Sequence, residues 1–465
     1  MDEVFDLIEK EKQRQEDEIC LIASENYMSQ DVLNACGTVL INKYSEGYPN
    51  KRYYGGCHII DEIEQLAIDR ACKLFGCKFA NVQPNSGCQA NQAVYMAVCR
   101  PGDTILAMGV NEGGHISHSL GIGFAGTFYN VVEYGLTDDG FLNYDELKEK
   151  LYTYKPRLLI VGGSAYPREI DFKKVREIVD EYNDREEDFI CDKCANRHIE
   201  GKCEECKVIS DSNFESDRCT FMVDMAHIAG LVAAKEHISP IPYADVVTST
   251  VQKTLRSGRG GLILTNDEKL IKKINSGVFP RLQGGPLNNM IAAKAVGFGE
   301  ALKPEFKEYI KQVKINIMKM VDVFKEFDVD MMTGGSDNHL ILLDLKKENF
   351  SGADLEKMLE SVGIITNKNS VKGDTRPKME TSGLRIGTAC ITTRGIKENT
   401  AAYIAMQICY CIQILRGTFD YDGTGLLRVR NEDGSIDYDT DIKTLVLEDI
   451  KRKIKNICET YPIYK

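Results

Sequence analysis

No apolar run long enough to span a bilayer, about 18 residues, occurs in this 465-residue chain, so no membrane segment is expected. An excess of positive charge is also missing. The 58 lysines and arginines face 70 aspartates and glutamates, and a net charge of −12 disfavours nonspecific binding to nucleic acid, so no such partner is expected. The opening stretch MDEVFDLIEKEKQRQEDE has neither the apolar centre of a signal peptide nor the acid-poor, arginine-rich character of a transit peptide; it reads as a charged amphipathic helix, and a cytoplasmic location is expected. Without a secretion signal, the 16 cysteines read as reduced thiols or metal ligands and not as a disulfide framework. Internal repeats and low-complexity segments are absent as well, and what is left is the composition of a globular chain with room for two or three domains.

What is there is an alternation of strands and helices. Apolar residues at helical spacing run from Ile60 to Phe75 and stop at Gly76. A strand over 80–82 leads through Pro84, Asn85 and Ser86 into a helix, and further strands are expected over 104–108, 157–161, 220–223 and 262–265, with helices over 144–152 and 172–182 between them. Such an order implies a parallel sheet covered on both faces. A long helical stretch from Asn288 to Phe327 then leads into a smaller alternating region, which reads as a second α+β domain.

Ligands of open α/β sheets sit beyond the carboxyl ends of the strands, and Ser86, His115, Ser164, Asp224 and Lys253 each follow a strand there. Lys253 lies in DVVTSTVQKTLRSGRGG among hydroxyl residues, where loss of solvent lowers an amine's pKa and frees it to form a Schiff base; a solvated loop lysine is the plainer alternative. Ser86 at a helix N-terminus is either a simple N-cap or part of a phosphate site. Together, a lysine, a phosphate cradle, an acid and a histidine suggest pyridoxal phosphate, whose ring nitrogen needs a carboxylate such as Asp224 and whose amino-acid substrate needs an arginine. Between residues 185 and 218 a polar segment interrupts the pattern and carries Cys191-x2-Cys194 and Cys203-x2-Cys206, a spacing that suits a structural zinc ion; free thiols or a redox pair are the alternatives.

In order, IASENY, NKYSEGYPNKRYYGG, EQLAIDRA, QPNSGCQAN, VDMAHIAGLVAA, QKTLRSGRGGLIL, QGGPL, NKNSV and TSGLRIGTACITTRG resemble serine hydroxymethyltransferase from about Glu9 to Tyr464, the insertion excepted. The resemblance implies an α/β, fold-type I pyridoxal-phosphate transferase of the aspartate-aminotransferase kind, with a mostly parallel seven-stranded sheet and a smaller C-terminal α+β domain. It divides the chain into a helical arm (1–34), a large cofactor-binding domain (35–280) holding the insertion, and a linking helix with the small domain (281–465). It implies a homodimer or homotetramer with shared sites, converting serine and tetrahydrofolate to glycine and 5,10-methylenetetrahydrofolate. Lys253 would hold the cofactor covalently, Asp224 would pair with its ring nitrogen, His115 would stack on the ring, and His227 and Ser164 would lie near its phenolic oxygen. Ser86, Gly87, Cys88 and Thr250 would surround the phosphate, with Tyr44, Gly284 and Gly285 reaching it from the neighbouring subunit. Arg385 and Ser24 would hold the substrate carboxylate, Tyr54 would stand close by, and Glu46 would move protons. Tyr53, Val110, Gly114, Ile116 and Asn369 match folate-contacting positions.

Three positions depart from the family pattern. Gln252 replaces a usual histidine before the lysine, Cys88 replaces a usual serine, and PRLQGG (280–285) replaces a glycine-rich PGGQGG; Arg281 is expected to face solvent. A folate-independent aldolase acting on threonine or another β-hydroxy amino acid is the alternative within the same fold.

Overall fold

In the computed structural model the described residues are 2–185, 218–417 and 440–464. Their centre is a seven-stranded sheet. Its strands are β1 (Phe79–Asn81), β2 (Thr104–Met108), β3 (Asn130–Tyr134), β4 (Leu158–Val161), β5 (Thr220–Asp224), β6 (Val246–Thr250) and β7 (Gly261–Thr265). They lie in the order β1-β7-β6-β5-β4-β2-β3, with β7 antiparallel to both neighbours and the β6-β5-β4-β2-β3 pairs parallel. Continuous apolar runs explain the burial. Leu158 and Ile160 enter one apolar cluster while Leu159 and Val161 enter another, so the period-two alternation of a strand serves two cores at once. Each such side chain contributes about 1.5–3 kcal/mol when fully buried.

Helices α1 (Glu3–Asp17), α2 (His58–Phe75), α3 (Gly87–Val98), α4 (Tyr144–Tyr154) and α5 (Phe172–Asn183) carry the chain between and around these strands. α2 ends where the sequence indicates, on Gly76 in the left-handed region (φ 71°). The expected helix over 288–327 is two helices, α6 (Asn288–Ala301) and α7 (Pro304–Glu326). Pro304 lacks an N–H and holds Lys303 extended (ψ 150°), which stops the first helix and starts the second at its N1 position. α7 packs with α8 (Glu398–Arg416), α9 (Thr440–Thr460) and a three-stranded antiparallel sheet of β8 (Leu340–Asp344), β9 (Asn367–Asn369) and β10 (Gly383–Gly387) over a separate apolar cluster. The N-terminal arm joins this region through a parallel pairing of Ile19–Cys20 with Ile364–Ile365. α1 buries none of its residues in this chain, and Val4, Phe5, Leu7 and Ile8 are exposed. No helix among the described residues is long and apolar enough to cross a membrane.

Candidate active site

The carboxyl ends of β2, β4, β5 and β6 and the turn after β1 open onto a cavity of about 1430 Å³, which is also lined by β9, by Arg385 of β10 and by residues between Cys20 and Met28. Asp224 ends β5 inside it. Its Oδ2 accepts from Asn91 Nδ2 and His118 Nε2, both at 2.9 Å, and its Oδ1 from the Ala226 amide at 3.0 Å. Burial opposes its charge, but the His118 ring and the Asn91 amide outweigh that and hold the carboxyl well below the usual range. Asn91 is fixed in turn by Thr248 Oγ1 at 2.7 Å. Lys253 follows β6 and is 8 % exposed; burial brings its amine down to about 8, with the Asp224 charge acting the other way.

His115 presents a neutral ring. Its Nδ1 accepts from the Ser117 amide at 3.1 Å, and burial, then the neighbouring His118, lower its pKa to about 4. His227 is buried, stacked on His339 at 5.6 Å, and held uncharged by burial and the Lys253 cation. Ser86 caps α3 through the Gln89 amide (3.2 Å), and Gly87 is required behind it, because a side-chain carbon there would stand 2.4 Å from Thr250 Cγ2. Thr250 Oγ1 is buried with no hydrogen-bond partner among the described residues, an orphan donor beside that turn. Cys88 completes the turn with a thiol that burial pushes up, a weak donor.

Arg385 on β10 is 8 % exposed, and all its hydrogen-bond partners are neutral: Asn367 Oδ1 at 3.1 Å, Ser164 O at 2.7 Å and Ser24 Oγ at 3.4 Å. A buried guanidinium with no carboxylate partner among the described residues, its pKa drawn to about 10 by burial, is a site prepared for one. Val110, Gly114, Ile116 and Asn369 line the same cavity.

Six of the expected residues do not line it. Glu46, Tyr44, Tyr53, Tyr54, Gly284 and Gly285 form a separate surface cluster, in which Tyr44 and Tyr54 meet edge to face at 5.3 Å and side-chain carbons on Gly284 and Gly285 would stand 3.2 Å from Glu46 Oε1 and Tyr44. Arg281 is exposed as expected and also donates to Met96 O at 2.8 Å. Gln252 accepts from the Gly260 amide at 3.4 Å. Sequence reasoning missed His118 and Asn91; the signal for the first was its place three residues after His115, one helical turn on. The four cysteines of the expected zinc set lie outside the described residues, and among the described residues no group of three or more metal-ligating side chains occurs.

Comparison with known proteins decides the family. The family model "Serine hydroxymethyltransferase" matches residues 1–201 and 202–408. The chain belongs to the serine hydroxymethyltransferase family. Serine hydroxymethyltransferase of Orientia tsutsugamushi (strain Ikeda) is 45% identical over 465 residues, 99% of each chain. That of a Nitratiruptor species is 48% identical over 405 residues, covering 87% of this chain and 89% of its own length. Pyridoxal phosphate and tetrahydrofolate are what this family implies, and the donor set fits the first. An orphan hydroxyl and a helix N-terminus suit a phosphate, an ionised carboxylate suits a protonated ring nitrogen, and a buried amine lines the same cavity.

Proposed function

We propose that this chain reversibly transfers the hydroxymethyl carbon of serine to tetrahydrofolate, giving glycine and 5,10-methylenetetrahydrofolate. The observation that carries this reading is the convergence, in one cavity, of the buried Lys253 amine, the ionised Asp224 and the Arg385 guanidinium with only neutral partners. Pyridoxal phosphate, when bound, supplies an electron sink for negative charge at the substrate's α-carbon. Lys253 would hold it, and Asp224, kept ionised by His118 and Asn91, would keep its ring nitrogen protonated. His115 would offer it a flat neutral face, and His227 and Ser164 would stand near its phenolic oxygen. Ser86, Gly87, Cys88 and Thr250 would take the phosphate. Arg385 and Ser24 orient the amino acid by its carboxylate. Val110, Gly114, Ile116 and Asn369 offer the folate wall.

Glu46 as the proton-handling acid, Tyr53 at the folate, Tyr54 at the amino acid, and Tyr44, Gly284 and Gly285 at the phosphate require a second copy of the chain, so a homo-oligomer with shared sites is part of the proposal. So are the division at about residues 34 and 280, a cytoplasmic location, and a structural zinc ion on Cys191, Cys194, Cys203 and Cys206.

The test is spectroscopic. Glycine added to the cofactor-loaded protein should give a new band to the red of the cofactor's visible absorption only when tetrahydrofolate is also present, and serine should be consumed only with folate. Cleavage of threonine or serine at an undiminished rate without folate would assign the chain to the aldolase reading instead.

A further inference from the structure

Lys294 is a fully enclosed cation that the reaction just described does not use. It stands within α6 at 1 % exposure, and its Nζ donates to three main-chain carbonyls, Val82 O at 2.7 Å, Pro84 O at 2.9 Å and Gly261 O at 2.9 Å. Carbonyl oxygens only accept, so the three hydrogens of an ammonium satisfy all of them, whereas a neutral amine would turn its lone pair toward one. Burial pulls the amine toward about 7, and the negative charge of Glu64, itself buried and paired with Arg52 at 2.6 Å, opposes that pull. Carbonyl oxygens closing on one buried positive charge are also what replaces the water shell of a potassium ion.

The three carbonyls belong to segments that the site depends on. Val82 follows β1, Pro84 opens the Ser86 turn, and Gly261 opens β7 directly after the Lys253 loop. Pro84 O accepts from the Gly261 amide as well, at 2.8 Å, and the Val251 amide donates to Gly260 O at 3.1 Å, so the phosphate turn and the lysine loop meet at this cation. Room for it is built in. A side-chain carbon on Gly260 would stand 2.3 Å from Lys294 Cε and 2.6 Å from its Nζ.

We propose that Lys294 is a tethered monovalent cation that locks the Ser86 turn in register with the Lys253 loop, a positioning residue for the cofactor's phosphate. The inference rests on the reading that pyridoxal phosphate occupies that turn. Lys294→Ala leaves a carbonyl-lined space of the right chemistry for a small cation, and Lys294→Met fills the same space with apolar atoms. Release of cofactor from each holoenzyme into a trap is followed through its visible absorption. Loss of Lys294 should speed release about 10- to 100-fold, the span of one charge-assisted hydrogen bond. Ammonium, methylammonium or potassium ions should slow release again in Lys294→Ala, and tetramethylammonium at equal ionic strength should not; Lys294→Met should release quickly whatever the salt. Release from Lys294→Ala as slow as the parent's, or an equal response to every cation, overturns the proposal. Should Lys294→Ala fail to fold, Lys294→Met decides alone, and parent-like retention there overturns it. A parent chain that takes up no pyridoxal phosphate is a different result, seen before any variant is made, and removes the functional reading itself.

Discussion

Lys253 is held between two opposed influences: burial brings its amine to about 8, while the Asp224 carboxylate favours the charged form. Only the neutral amine attacks a carbonyl, and it is the minor form below the pKa and the major form above it. Capture of pyridoxal phosphate by the cofactor-free chain should therefore quicken as pH rises and level off above about 8, where an ordinary lysine would still be gaining toward about 10.4. Asp224→Asn removes the charge that keeps the amine protonated, so the midpoint should move below 8. Stopped-flow absorbance across this range checks both, and a midpoint that stays near 10 in the parent contradicts the buried amine. His115 adds no inflection near neutrality, because its ring is already neutral down to about 4.

At the scale of elements, what the sequence discloses is whatever acts locally. The turn after β1, the strand end at Asp224 and the loop after β6 each carry their chemistry in adjacent residues, and the apolar runs of β2, β4, β5 and β6 identify a sheet buried on both faces. His118, Asn91 and Thr248 act through Asp224 from three different elements, so no short motif contains them. Lys294 was hidden for a related reason: a single lysine in a helix reads as a solvated side chain until the fold surrounds it with carbonyls. The break at Pro304 is marked in the sequence only by the proline itself, because apolar periodicity runs on both sides of it. The insertion lies between α5 and β5. Its ends are pinned by the Asn183 amide, which donates to Cys219 O at 3.1 Å and accepts from the Cys219 amide at 2.8 Å, at the start of β5 and not at its Asp224 end. Five residues of strand separate the two, roughly 16 Å at about 3.3 Å per residue. If the four cysteines hold the proposed zinc ion, Cys203→Ser should remove it, read by metal analysis, and leave the cofactor's visible spectrum unchanged; loss of both together would place the metal near the chemistry.

Across the whole molecule the expected site residues fall into two separate groups. Lys253, Asp224 and Arg385 face one cavity, while Glu46, Tyr44, Tyr53, Tyr54 and the Gly284-Gly285 pair gather elsewhere on the same chain. Tyr44, Tyr53 and Tyr54 are 57%, 76% and 46% exposed, and Val39 and Ile41, just before them in the chain, are 79% and 67% exposed, an apolar surface that a partner would cover. If a second copy supplies this cluster, each site takes its lysine from one chain and its glutamate from the other. Lys253→Ala and Glu46→Gln would each be inactive alone, since every site of either variant lacks one member. Mixed and reassembled at equal amounts, they would form hybrids in which one of the two sites receives the intact lysine of one chain and the intact glutamate of its partner. Random pairing about a twofold axis makes half of the dimers hybrid, so about one quarter of the parent activity should return. A site complete within one chain would return none. Activity of the mixture, with hybrid formation checked by native mass spectrometry, separates the two arrangements; hybrids that form and stay inactive would place Glu46 outside the shared site.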